Sequence, residues 1–165
     1  MVNMHKQNDK SSQQGDRDHS SSTSPPTLQD LLAAPLSARL LAPSGSDLIM
    51  AEWTAEGTPE GNEPMLIAPL HLHAEDDEAW YVIEGTLGFR IGDNSFEAGA
   101  GSAVAAPRGT PHTYWNPKPE EARYLIIMTA QIHSLIQAIH ASSSRDAETI
   151  RALFERHGAV LLETP

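Results

Sequence analysis

The chain has 165 residues, 22 acidic against 11 basic side chains, a formal net charge of −11 at pH 7 and no cysteine. A single domain is expected at this length, and the lack of thiols excludes disulfide staples, Cys-based zinc or iron–sulfur sites and thiolate catalysis. The acidic balance speaks against nucleic acid as a partner, and no apolar run approaches the ~20 residues of a membrane span.

The N-terminus lacks the charged-then-apolar order of a secretory signal, so a cytoplasmic protein handling a small molecule is expected. Residues 1–26, "MVNMHKQNDKSSQQGDRDHSSSTSPP", carry only Met1, Val2 and Met4 as large apolar side chains. Too little apolar surface is available there to offset ordering entropy, and a disordered tail is expected. "TLQDLLAAP" then reads as one or two helical turns, with Thr27 as cap, Asp30 three residues on, and Pro35 as terminator.

From Ser37 to Ala130, short runs rich in Val, Ile, Leu, Tyr and Trp alternate with Gly, Pro, Asp and Asn. Strands are expected at 47–54, 64–73, 79–84, 87–91, 95–98, 102–106, 112–116 and 122–130. Many short strands with tight turns argue for an antiparallel sandwich or barrel. The period then changes. In "TAQIHSLIQAIHA", Ile132, Leu135, Ile136 and Ile139 recur at helical spacing, and 144–157 repeats the pattern with Ile150, Leu153 and Phe154 before a stop at Gly158. The division expected is a tail (1–26), a β-barrel (27–130) and a C-terminal helical extension (131–165). The helices' apolar stripes are expected to pack on the outside of the barrel or against a second subunit, in a homodimer.

The stretch "HLHAEDDEAW" (71–80) carries the chemistry. Residues two apart on a strand face the same side, about 6.6 Å apart, so His71 and His73 can chelate one ion. Met65, Ile67 and Pro69 share their parity, which predicts an apolar, inward-facing row ending in two imidazoles. Buried imidazole nitrogens need partners, and a metal supplies one. Glu78, opening "EAWYVI", can face back at the pair. His112, opening a strand after the turn residues Pro107, Gly109 and Pro111, is a fourth candidate. Glu75 could compete with Glu78 if the strand continued, although "AEDD" reads as a turn of solvated acids. His133 and His140 read as surface residues, and His157 as a helix C-terminal imidazole.

These residues resemble the cupin superfamily, whose motifs run G-x5-H-x-H-x4-E-x6-G and G-x5-P-x-G-x2-H-x3-N. "HLHAEDDEAWYVIEG" supplies His71, His73, Glu78 and Gly85, and "GSAVAAPRGTPHTYWN" supplies Gly101, Pro107, Gly109, His112 and Asn116. The opening glycine of the first motif falls on Met65, a departure that touches no ligand. The resemblance implies an all-β, antiparallel jelly-roll barrel (a double-stranded β-helix). It also implies one divalent transition-metal ion held by His71, His73, Glu78 and His112. Such a donor set suits Fe, Mn, Ni, Cu or Zn.

Counting by twos from Glu78 and His112 turns Trp80, Val82, Tyr114 and Asn116 inward, and "LGFRI" puts Leu87, Phe89 and Ile91 inside with Arg90 outside. An apolar, aromatic lining suits a hydrophobic or aromatic substrate, with Trp80, Phe89 and Tyr114 as contacts. The similarity is closest to small quercetinase-like cupins. It implies a metal-dependent dioxygenase in which Glu78 and Tyr114 take part in catalysis. The alternatives are a non-oxidative isomerase, lyase or decarboxylase, and a small-ligand-binding protein without catalysis.

Overall fold

The computed structural model describes residues 28–36 and 40–163. The expected disordered tail and the Thr27 cap lie outside the described residues. Along the chain run α1 (Leu28–Leu31), β1 (Leu48–Ala55), β2 (Leu66–His73), β3 (Glu78–Glu84), β4 (Thr86–Ile91) and β5 (Asn94–Gly99). After them come β6 (Ala103–Ala106), β7 (His112–Trp115), β8 (Ala122–Thr129), α2 (Ala130–Ala141), α3 (Ala147–Arg156) and β9 (Ala159–Leu161).

Period-two alternation makes the sandwich. In β8 the side chains of Ala122, Tyr124, Ile126 and Met128 are buried and their neighbours are not. Two antiparallel sheets result, with strand orders β1-β8-β3-β6 and β5-β4-β7-β2-β9, the jelly-roll arrangement expected from the sequence. Between them lie Trp80, Val82, Leu87, Phe89, Tyr124, Ile126 and Met128, all closed to solvent. Burying each is worth roughly 1.5–3 kcal/mol. Gly85 turns β3 into β4 at φ +77°, and a Cβ there would meet the Glu121 carbonyl oxygen at 2.7 Å. Only glycine fits.

The eight expected strands all form, each with ends shifted by no more than a few residues. Three features differ from expectation. The C-terminal extension is not helix alone: β9, three residues long, pairs with β2 at His71, Leu72 and His73. A three-residue strand is too short to show a period. The row of Met65, Ile67 and Pro69 is not a buried row, since Met65 is 83% exposed and Ile67 39%. Register shifts on either side of Ala68 break strict alternation in β2. The helices also do more than cover the outside of the barrel. α2 packs against β1 and β8 and α3 against β9, and both helices wall a cavity.

Asn116, 2% exposed, ties the end of β7 to its surroundings. Its Nδ2 donates to the carbonyls of Ala55 (3.2 Å) and Glu120 (2.7 Å), and its Oδ1 accepts from the Lys118 N–H (2.9 Å). Removing the amide strands buried backbone groups. Asn116→Ala is expected to lower the free energy of urea unfolding by about 1–3 kcal/mol. An unchanged midpoint and slope would show that the tie is dispensable.

Candidate metal centre

His71 and His73 come from the end of β2, His112 from the start of β7, and Glu78 from the start of β3 in the opposite sheet. His71 sits directly across from His112 in the β2–β7 ladder. The loops that precede Glu78 and His112 are fastened together. Asp77 accepts from the Arg108 backbone N–H (2.8 Å), Nε (3.2 Å) and Nη2 (2.8 Å), and the Gly109 N–H donates to the His73 carbonyl (2.7 Å). Asp77, expected as a merely solvated acid, is exposed but engaged. Glu75 is exposed and plays no part in the cluster.

All four side chains are buried, at 5% exposure or less, and their candidate ligand atoms lie within 4.8 Å of one another. His112 Nε2 is 3.0 Å and His73 Nε2 3.5 Å from Glu78 Oε2, and the Nε2 atoms of His71 and His73 are 3.2 Å apart. Bonds of about 2.1 Å to a central ion would put adjacent ligands of an octahedron about 3.0 Å apart and those of a tetrahedron about 3.4 Å apart. These spacings fit an ion.

Hydrogen-bond accounting points the same way. His71 Nδ1–H donates to the Pro69 carbonyl (2.7 Å) and His112 Nδ1–H to the Thr110 carbonyl (2.8 Å). Each bond fixes a tautomer and leaves the Nε2 lone pair facing the centre. His73 Nδ1 is buried without a partner. If His73 carries its proton there, two bare Nε2 atoms face each other. If it carries it on Nε2, Nδ1 is a stranded acceptor. A cation would take all three Nε2 lone pairs and relieve their mutual repulsion, while His73 Nδ1 has no protein partner in either tautomer.

Charge agrees as well. Burial, then repulsion from His112 and His73, lowers the His71 pKa from 6.5 to about 4, so that ring is neutral and ready to ligate. Burial pushes the Glu78 carboxyl upward, but the His112 and His73 rings beside it outweigh that when their Nε2 atoms carry protons, and bring it to about 2; a cation in place of those protons would favour the carboxylate in the same way.

The profile of the family described as Cupin domain matches residues 63–128. This chain carries a cupin domain. A cupin-2 domain containing protein from Shewanella frigidimarina is 27% identical, with 55% of this chain and 78% of that one covered at a TM-score of 0.43. A Thermus thermophilus protein, TT1209, is 22% identical, covering 51% and 74% at a TM-score of 0.44. A sugar phosphate isomerase of a cupin superfamily from Silicibacter pomeroyi is 23% identical, covering 51% of each chain at 0.43. No curated protein matched the sequence.

A cavity of about 580 Å³ opens onto the cupin's ligand cluster, with His71, His73, Glu78 and Tyr114 on its wall. The two sheets close one end, and α2 and α3 supply the facing wall through Leu135, Ile136, Ile139 and Phe154. Phe154 packs edge-on against the His71 ring, 5.3 Å between centroids. Tyr114 and Tyr124 share a hydrogen bond between hydroxyls (3.2 Å). Burial raises Tyr114 well above its ordinary value and Tyr124 to about 12, so both stay neutral. Trp80 and Phe89, expected as substrate contacts, do not reach the cavity. They fill the closed end of the core, where Trp80 packs 5.8 Å from the His112 ring and 5.3 Å from Tyr114.

The sequence reading did not find Tyr124, Trp53, Phe154 or His140. Tyr124 carries a usable signal, since it is in phase with the buried row of β8. His140, read as plain surface, is exposed and stands on the cavity rim. His157 caps the C-terminus of α3 through Nδ1–H to the Leu153 carbonyl (2.8 Å), in keeping with its expected place.

The loop fastening has a pH signature. Hydrogen bonds from the Arg108 side chain and backbone lower Asp77 from 3.8 to about 2. A carboxyl more acidic when folded than when unfolded stabilises above the unfolded value and loses that contribution as pH falls through the folded one. Asp77→Asn is therefore expected to be less stable than the parent by a constant margin above about pH 4, closing toward about pH 2. Unfolding free energies of both proteins across that range check it, and a margin that widens on acidification would refute it.

Proposed function

We propose that this cupin is a metal-dependent dioxygenase that takes a small hydrophobic or aromatic substrate, with His71, His73, Glu78 and His112 holding one divalent transition-metal ion. The observation that carries the reading is the continuity between the buried N3O cluster and a cavity walled by apolar and aromatic side chains. At about 580 Å³ it has the size of a small-molecule site. Among the described lining residues there is no Lys or Arg, so an anionic substrate would meet no counter-charge. Glu52 at the wall is already paired with Arg123 (2.7 Å). That disfavours a phosphorylated substrate and with it the readings that depend on an anion clamp.

When bound, the ion would supply a redox-active centre with open coordination positions. The chain's own residues set the rest. Glu78 is held ionised and can take a proton from a substrate hydroxyl. Tyr114 and Tyr124, both neutral, can hold a polar substituent of the substrate at the floor of the cavity. Leu135, Ile136, Ile139 and Phe154 exclude water from it. Trp80 and Phe89 act behind the site, by keeping His112 and Tyr114 in place.

Elemental analysis of protein purified without added metal tests the ligand assignment. Stoichiometric metal is expected in the parent and little in His71→Ala and Glu78→Ala; equal content in all three would defeat it. Oxygen uptake tests the reaction. Loss of an aromatic candidate substrate should track oxygen consumption and cease under anaerobic conditions. Anaerobic turnover would instead indicate an isomerase, lyase or decarboxylase, and binding without turnover a ligand-binding protein.

The assembly inferred is a homodimer. Leu66 and Ile67 of β2, with Val160 and Leu162 on and just past the edge strand β9, leave apolar side chains exposed along one margin of a sheet. A second copy would cover them. Light scattering at micromolar concentration should give twice the chain mass, and a monomer would overturn the inference.

A further inference from the structure

A second cavity, of about 350 Å³, adjoins the first. Both are lined by Ile67, Pro69, Ile139 and Phe154. A side chain that lines two cavities stands between them, so these four form a common wall. Ile67 and Pro69 belong to β2, whose backbone is held in the sheet. Ile139 and Phe154 come from α2 and α3. Beyond it the lining is apolar, with Leu66, Leu70 and Ile150. The two charged side chains there already have partners: Arg145 Nη1 donates to the Ile139 carbonyl (2.8 Å), and Glu163 lies 3.8 Å from Arg90. The second cavity therefore offers apolar surface without unpaired charge.

We propose that Ile139 and Phe154 form a partition that limits how long an apolar chain a ligand at the metal centre can carry, with the second cavity as the subsite for that chain. The proposal rests on the metal-site reading above. Phe154 packs edge-on against the His71 ring and also lines the second cavity. The wall therefore begins at the ligand cluster, and a chain running along β2 from a head group there meets Phe154 and Ile139 first. Shortening either side chain joins the two spaces. A chain that stops against the wall in the parent then continues over Leu66, Leu70 and Ile150.

Straight-chain alkyl hydroxamic acids of increasing length, titrated into the Co(II)-loaded protein and followed by the visible absorption of cobalt, test this without any turnover. In the parent, affinity should rise about fourfold for each methylene buried until the first cavity is full, then level off. In Ile139→Ala and Phe154→Leu the rise should continue through at least two further methylenes. Ile136→Ala, which alters the first cavity alone, should keep the parent's break point. Ile139 is only partly buried, so its variant serves if Phe154→Leu fails to fold, with thermal melts to decide. An identical break point in the parent and in Ile139→Ala would overturn the partition. Hydroxamates that leave the cobalt spectrum unchanged at every length would overturn the metal reading, and the partition with it.

Discussion

Three imidazole lone pairs and one carboxylate converge in the interior of an apolar sandwich, and the local structure is organised around that constraint. Polar groups placed there cost several kcal/mol unless satisfied. The fold satisfies the outer nitrogens of two rings with backbone carbonyls, those of Pro69 and Thr110. It leaves the inner ones facing each other, at distances too short for comfort without a cation and well suited to one. Ring orientation is thus fixed by carbonyls that lie two residues upstream of each histidine. The same short-range device serves both strands, β2 and β7, and the ladder between them sets His71 against His112.

Much of this was legible in the chain, because strand period and turn residues are local properties. The apolar run at 122–130 marked β8, and Gly85 fell between the strands expected at 79–84 and 87–91, where a turn is required. The four ligand candidates were legible for the same reason. Residues two apart on a strand share a face whatever the fold, and Glu78 and His112 each open a strand at a fixed offset from a turn.

Depth was not legible. Parity says which face of a sheet a side chain occupies, but not whether that face meets core or cavity at that height. Trp80, Phe89 and Tyr114 all point between the sheets, yet only Tyr114 meets the cavity, because the closed end of the barrel is filled first by the bulky side chains of β3 and β4. The opposite error occurred at Ile67, in the stretch of β2 where register shifts break the alternation and the side chain is 39% exposed. Nor could an apolar stripe on a helix name its partner. Leu135 and Phe154 read correctly as buried positions, but their neighbours are set by where the chain returns after α2, a long-range matter that no window of sequence contains. β9 was invisible for both reasons, being short and defined by its pairing with β2.

Pro69 shows how a departure from strand rules can produce the site. A proline within a strand cannot complete the ladder, and it is tolerated at an edge or a bulge. Here the register of β2 against β7 shifts between Ala68 and His71, and β9 pairs with β2 only at His71–His73, so the proline lies where neither neighbour requires its missing N–H. The Pro69 carbonyl lies 2.7 Å from His71 Nδ1 and accepts from it, which leaves the other ring nitrogen to face the centre. The residue that weakens β2 as a strand is the one that commits His71 as a ligand.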